Sequence, residues 1–563
     1  MPGGTSRFVV LWRAFLTQFF SSDAVTSDIQ QRERLIWVLA FLLPPGLFLV
    51  IELFPAYELI ARHFPERLDD LLARLAFLLV TYSMVGVGML AVFVWDALVF
   101  ERRDAMVLGP LPLSNTVVLA AKLAALGTLL SGGALAVNAI TAVPFALVTA
   151  NRMSLGVLLT HLAAHLIATL SAAAFVFGGL VCARAMLAIV AGPRLATVLG
   201  SALQFAFVCG LLCFLILIPA ALSPERPLFL EPAAAAWAPT TWFLGAFEYL
   251  RGAPDPAFGP LAARAFTATA IVVCGGVLLS LAAFRFQVRS AVTPAASAGA
   301  LGRARVARVI AHGLSGRNGA ARGLAAFLLL TLARSRAQQT PVAISAAIGI
   351  ALAVAGLSRA EDLESLMRPR TAVLWIPLLL TYWTAMGVRA SFFVPSELAA
   401  AWAVRLNAPR CARARWIAVR SALAGFLIPP CIALSLALTP LVGWEYAFWH
   451  TLLAGAVTAV LIEGITLTVA HVPFTQPFPP GHLRLRTRWP LYLAGMYVCA
   501  YWPVRLGLHW PGSPSAIAPL IGVLLTTAYV IDVAGPRFRR AQAEPDGEDE
   551  AGDPDRAIVL ALG

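Results

Sequence analysis

Few residues of this 563-residue chain have a type and spacing that could do chemistry. His161 and His165 stand four apart, so on a helix both imidazoles share one face. That spacing can ligate zinc. The segment H-L-A-A-H lacks the glutamate that serves as general base in H-E-x-x-H, and no third ligand is in view. Hydrogen bonding between helices is the reading these histidines favour. Glu463 falls inside an apolar run, where an ionisable group is a functional candidate by default. Two roles fit it: binding a proton or cation, or a structural ion pair with Arg389 or Arg420. Asp96 and Asp532 lie nearer the ends of apolar runs and read as interface residues. No G-x-x-x-x-G-K-S/T phosphate loop occurs, so the chain cannot hydrolyse ATP alone by that chemistry. Of the seven cysteines, only Cys411 falls in a polar segment, so no disulfide framework is implied.

A second set of candidates is a loop rather than a cluster. Glu101, Arg102, Arg103 and Asp104 follow directly on an apolar run. A short turn with Met106, Val107, Leu108 and Leu111 comes next, then the brake Pro110, Leu111 and Pro112. Ser114 and Asn115, both good N-caps, precede the next apolar run. The residues alone allow two readings. One is a solvated turn whose charges mark a membrane exit. The other is a short surface helix whose apolar face docks into a partner's groove. Glu397 stands at the matching place in the second half of the chain, followed by Arg405.

The elements that must position these residues are membrane helices. Hydrophobic residues make up 60% of the chain and charged ones 13%, far from the near-even apolar share and quarter charged of a soluble domain. The net charge of +13 comes as short arginine clusters interrupted by apolar runs, so no continuous basic face for nucleic acid forms. The single lysine, Lys122, among many arginines reads as base-composition bias. About twelve runs are long enough to cross a bilayer. They fall near 35–54, 75–95, 123–147, 155–182, 198–220 and 266–284, then near 342–357, 373–393, 422–442, 448–469, 491–508 and 517–533. Prolines within them, such as Pro44, Pro45, Pro144, Pro429 and Pro430, are tolerated in packed membrane helices. Arginines alternate between loops in the sense that places both termini in the cytoplasm. The opposite loops carry acids, among them Glu58, Asp69, Asp70, Glu225, Asp255 and Glu361. Trp237 and Trp242 read as interfacial anchors. No cleavable signal is visible, so the first run serves as an uncleaved insertion signal.

The fold class expected is all-α, with about twelve transmembrane helices in two parallel six-helix repeats. Each half opens on an amphipathic stretch, FVVLWRAFLTQFF and LAAFLLLTLARSR. Paired glutamines follow in each, Gln30–Gln31 and Gln338–Gln339, then an acid past the second run, Glu101 and Glu397. The expected organisation is a first repeat at 1–284, a basic cytoplasmic linker at 285–321, a second repeat at 322–535 and an acidic disordered tail at 536–563. Parallel repeats of this kind pack around an axis along the membrane normal.

Several of these segments resemble one family. The charged start at Glu101, the short apolar turn, PLPLS and the following AAKL are similar to the coupling segment of type-two ABC exporter permeases. The amphipathic stretch before the first run resembles their elbow helix. The segment APTTWFLGAFEYLRG at 238–252 resembles the P-x-x-W-F-x-x-x-x-E pattern of bacterial relatives. The second half matches less: VPSELAAAWAVRLNAPRCARARW keeps Glu397 but not PLP, and no counterpart of WFLGAFE follows. The resemblance implies a permease of the bacterial inner membrane that exports a substrate the sequence does not name. ATP would be bound by separate ABC-type ATPase subunits, two copies, and the chain itself would carry no cofactor or metal. It would be no enzyme. Glu101, Arg102, Arg103, Asp104, Leu108, Leu111, Pro112, Glu397 and Arg405 would form the ATPase-coupling loops. A secondary transporter with Glu463 as titrating group is the first alternative. A polytopic membrane enzyme is the second, and it would need convergent carboxylates or histidines at one face.

Overall fold

The fold is taken from a computed structural model. It describes residues 4–20, 51, 55, 57–59, 61–64, 67–95, 97–98, 104, 107–108, 110–150, 154–221, 237–292, 300–358, 371–396, 404, 411–469, 472–475, 485–509 and 514–543. Among these residues every regular element is a helix. Among the described residues, nine helices are long and apolar enough to cross a membrane. Many of their large apolar side chains face outward, among them Ile271, Leu278, Val523 and Val530. A water-facing helix would carry polar residues there. The chain is an all-α, multi-pass membrane protein.

Two compact units divide it, Met1–Ala296 and Ser297–Gly563. The first contains α1 (Gly4–Phe20), α2 (Leu68–Phe93), α3 (Asn115–Thr149), α4 (Leu155–Val190), α5 (Gly192–Ala221), α6 (Pro239–Leu250) and α7 (Phe258–Val292). Helices α2, α3 and α4 pack on one another, α5 packs on α2, α7 on α4, and α1 on α3. A buried polar ladder ties the central three: Asn138 Nδ2 donates to Ser83 Oγ at 2.9 Å, and Ser83 Oγ to the Thr169 carbonyl at 3.0 Å. Small residues let α4 and α7 approach closely. A Cβ at Gly178 would stand 3.0 Å from Val272 Cγ1 and 3.3 Å from its backbone, and Cys182 Sγ reaches the Val272 carbonyl at 3.2 Å.

The second unit contains α8 (Ala300–Leu314), α9 (Gly319–Arg334), α10 (Arg336–Leu357), α11 (Thr371–Ser391), α12 (Ala412–Ala437) and α13 (Trp444–Thr468). They are followed by α14 (Leu485–Met496), α15 (Trp502–His509) and α16 (Ala518–Ala543). Here α11, α12 and α13 pack on one another, α16 packs on α13, and α9 on α12. Asn318 caps α9 by accepting the Ala321 N–H at 3.0 Å. The stretch expected as linker is substantially helical: α7 runs on to Val292, and α8 buries Ala307 and Ala311 in the second unit's core.

Three of the twelve expected runs do not stand among the nine helices. The run at 35–54 lies outside the described residues but for 51. Helix α5 forms over the run at 198–220, and its side chains are described over Leu199–Leu215. The run at 491–508 is broken by a π-helical turn at Tyr497–Tyr501 between α14 and α15. Pro503 has no N–H to give to the carbonyl of residue 499, so the α-ladder cannot continue there.

Candidate functional site

The best-built polar site lies where α1 meets the start of α3. Residues Phe8, Leu11, Trp12, Phe15 and Leu16 recur at three- and four-residue spacing, which places them on one stripe of α1. Leu11 and Phe15 are buried against Val118, Leu119, Ala121 and Ala125 of α3 and Phe284 of α7. Trp12 Nε1 donates to Thr128 Oγ1 at 3.1 Å.

Asp104 joins the elements around this stripe. Its Oδ1 accepts from Gln18 Nε2 of α1 at 2.8 Å, and its Oδ2 lies 3.5 Å from Lys122 Nζ of α3. The same ammonium stands 4.8 Å above the Phe15 ring. Asp104 and Lys122 are 8% and 2% exposed, so their attraction is little screened by solvent. Lys122 therefore is a structural tie, which its rarity in the sequence did not disclose. The available signal was its position, two turns into an apolar helix, where a cation needs a partner.

The described part of the predicted coupling loop has two faces. Leu108 and Leu113 pack inward on the α1–α3 cluster. Val107 and Leu111 point outward, 59% and 48% exposed, and Pro112 is exposed. Ser114 occupies the N-cap position in extended backbone, but its side chain caps no helix N–H. It accepts instead from the Thr116 hydroxyl at 3.2 Å. Asp96, Glu101, Arg102, Arg103, Glu397 and Arg405 lie outside the described residues. In the second unit, Gln338 at the start of α10 is buried and donates to the Val394 carbonyl at 3.0 Å, just before the Glu397 segment. Phe474, at φ 68°, exchanges backbone bonds with Phe392 and Ser396 there, a strained conformation for a bulky residue that the surrounding rings hold in place.

The intramembrane candidates do not converge on one centre. His165 is buried between Phe145 and Phe247, with ring centroids at 5.1 and 6.4 Å, and its Nε2 has no partner among the described residues. The entry of α6 into the bundle brings Phe247 there, so an aromatic environment replaces the interhelical hydrogen bond expected at that nitrogen. His161 Nδ1 is likewise without a partner, and no group of three metal-ligating residues occurs among the described residues. Glu463 of α13 pairs with Arg420 of α12 at 2.9 Å, and Arg420 also reaches Asp532 of α16 at 3.0 Å. Arg389 is engaged elsewhere, by Thr468 Oγ1 and Tyr492 OH, both at 3.0 Å.

Helix α6 is a short helix buried among α2, α4 and α7. Pro239 opens it at the position where a missing N–H costs nothing. Trp242 packs on Phe175 at 6.1 Å, whereas Trp237 is 84% exposed. Glu248 pairs with Arg251 at 2.5 Å. Burial pushes the Glu248 carboxyl above the usual carboxylate range, against the pull of the Arg251 guanidinium. Comparison with known protein families, with curated proteins and with solved structures finds no match to this chain.

Proposed function

We propose that the chain is the membrane-spanning permease of an ATP-driven exporter, a fusion of two six-span halves with both termini in the cytoplasm of a bacterial cell. The carrying observation is the Asp104 tie. A loop with an outward apolar face is fastened through one carboxylate to both the amphipathic first helix and the third span. Such a loop transmits a push made on Val107 and Leu111 to the helices behind it, where a merely solvated turn would yield. Two ATPase subunits would bind below the two halves, and their closure on ATP would rock the bundles.

Matching packing orders support the reading as two halves. The pairs α1–α3, α2–α3, α2–α4, α3–α4 and α4–α7 of the first unit answer to α9–α12, α11–α12, α11–α13, α12–α13 and α13–α16 of the second. The boundary at Ala296 falls inside the stretch 285–321. Helix α6 marks the asymmetry: no helix of that length lies between α15 and α16 among the described residues.

Purifying the tagged chain from its native membranes should bring down a subunit that hydrolyses ATP. Val107→Asp with Leu111→Asp should release that subunit while the chain's thermal unfolding stays unchanged. Retention through both substitutions, or transport that continues on an ion gradient without any ATPase, refutes the proposal.

A further inference from the structure

The charged group on α12, α13 and α16 carries an inference that does not depend on how transport is energised. Glu463, 5% exposed, accepts at Oε1 from Arg420 Nε at 2.9 Å, and Arg420 Nη1 stands 3.0 Å from Asp532 Oδ1. Two carboxylates thus share one guanidinium. Glu463 Oε2 is buried and has no partner among the described residues. A buried carboxylate oxygen without a donor is costly, and the group as a whole has one negative charge in excess.

We propose that the second unit binds one proton at Glu463 Oε2, and that this proton decides how Arg420 is shared. A divalent cation is the poorer occupant. Calcium and magnesium each need about six oxygens, and here both carboxylates are already turned to Arg420. A proton needs one lone pair, which Oε2 supplies. The site is also within reach of water. Glu463 is five residues from the end of α13, about 7.5 Å along the axis, and Asp532 is three residues from the end of the candidate span at Gly535. Arg420 and Asp532, its two neighbours in the group, are 45% and 34% exposed.

Among the described side chains no other group competes for the site. From α12, Arg413 and Arg415 lie toward its start, and Cys431 meets the Thr458 hydroxyl farther along α13. From α11, Arg389 is held by Thr468 and Tyr492, and Tyr382 donates to the Tyr492 carbonyl at 2.7 Å. From α16, Tyr529 is exposed, and the short helices Thr439–Val442 and Pro514–Ile517 carry no titratable side chain. On α13 itself, His450 is thirteen residues away, about 20 Å, and Tyr446 and Glu445 are farther.

With Glu463 ionised, Arg420 ties α12 to both α13 and α16. With Glu463 protonated, the pull toward α13 falls and Arg420 stays with Asp532. At this level α12 also touches α16. Trp416, one turn before Arg420, fills the space beside Gly535, where any Cβ would collide with its ring. The proton therefore sets how Arg420 of α12 is divided between α13 and α16.

Infrared difference spectra of the purified full chain, recorded over pH steps within its folded range, test this. Subtracting the spectra of Glu463→Gln from wild type should leave one protonated-carboxyl band that moves on labelling with [13C]glutamate. In Glu463→Asp the band should follow [13C]aspartate instead, which keeps the assignment open to test if the glutamine variant does not fold. Asp532→Asn should keep the band but shift its midpoint. Absence of the band, or a band that still follows glutamate in Glu463→Asp, overturns the site. An unmoved midpoint in Asp532→Asn overturns the sharing of Arg420.

Discussion

Lys122→Met removes one charge from the tie beneath the proposed coupling loop and keeps most of the side chain's volume. The wild-type ammonium is 2% exposed, 3.5 Å from Asp104 and 4.8 Å from the Phe15 ring. Breaking a buried pair by deleting one partner costs about 3–5 kcal/mol, because the other charge stays in a low-dielectric site. At about 1.4 kcal/mol per tenfold, α1 should open roughly a hundredfold to a few thousandfold more often. Hydrogen exchange of the peptide 4–20, followed by mass spectrometry, reads this directly as lost protection. The double variant Lys122→Met with Asp104→Leu leaves no charge behind. Apolar replacement of a buried pair is near neutral or stabilising, so α1 protection should return to within about tenfold of wild type. If the chain is the proposed ATP-driven permease, its transport should stay low in the double variant, since a packed but uncharged contact no longer fixes the loop. Unchanged exchange in the single variant, or a double variant as open as the single, would refute the reasoning.

Three further outcomes are expected. Cys411 is exposed, outside the membrane-spanning helices, and the backbone N–H groups of Ala414 and Arg413 hold its thiol below the usual range. It should react with a membrane-impermeant maleimide ahead of the other six cysteines, and only in inside-out vesicles; labelling from the outer face would reverse the proposed orientation. Gly178→Val should lower stability by about 1–3 kcal/mol by forcing α4 from the Val272 backbone, while Gly127→Ala, with open space around it, should not; equal melting shifts would discount the α4–α7 seam. Glu248 holds its proton more tightly folded than unfolded, so its contribution is fullest below the ordinary carboxylate range and declines as pH rises through the raised value. Glu248→Gln should flatten that part of the melting-temperature profile, and a profile of unchanged slope would assign the dependence to other groups.

Composition alone determined that this chain lives in a bilayer, because 60% apolar residues in runs of about 20 cannot be covered by 13% charged ones in water. Periodicity likewise disclosed the amphipathic stripe of α1, and the order of charges disclosed Asp104 and Glu463 as places to look. Where their partners stand was decided by tertiary structure. Gln18 and Asp104 are 86 residues apart, Glu463 and Arg420 are 43 apart, and no local pattern records such a meeting. The sequence offered Arg389 and Arg420 equally as partners for Glu463. Packing of α13 against α12 chose Arg420, and the hydroxyls of Thr468 and Tyr492 took Arg389. Lys122 looked like a compositional accident and is the cation of a buried pair, because burial is a property of neighbours rather than of the residue. The insertion of α6 beside His165 is of the same kind: it depends on which helices come together, and only the folded chain settles that.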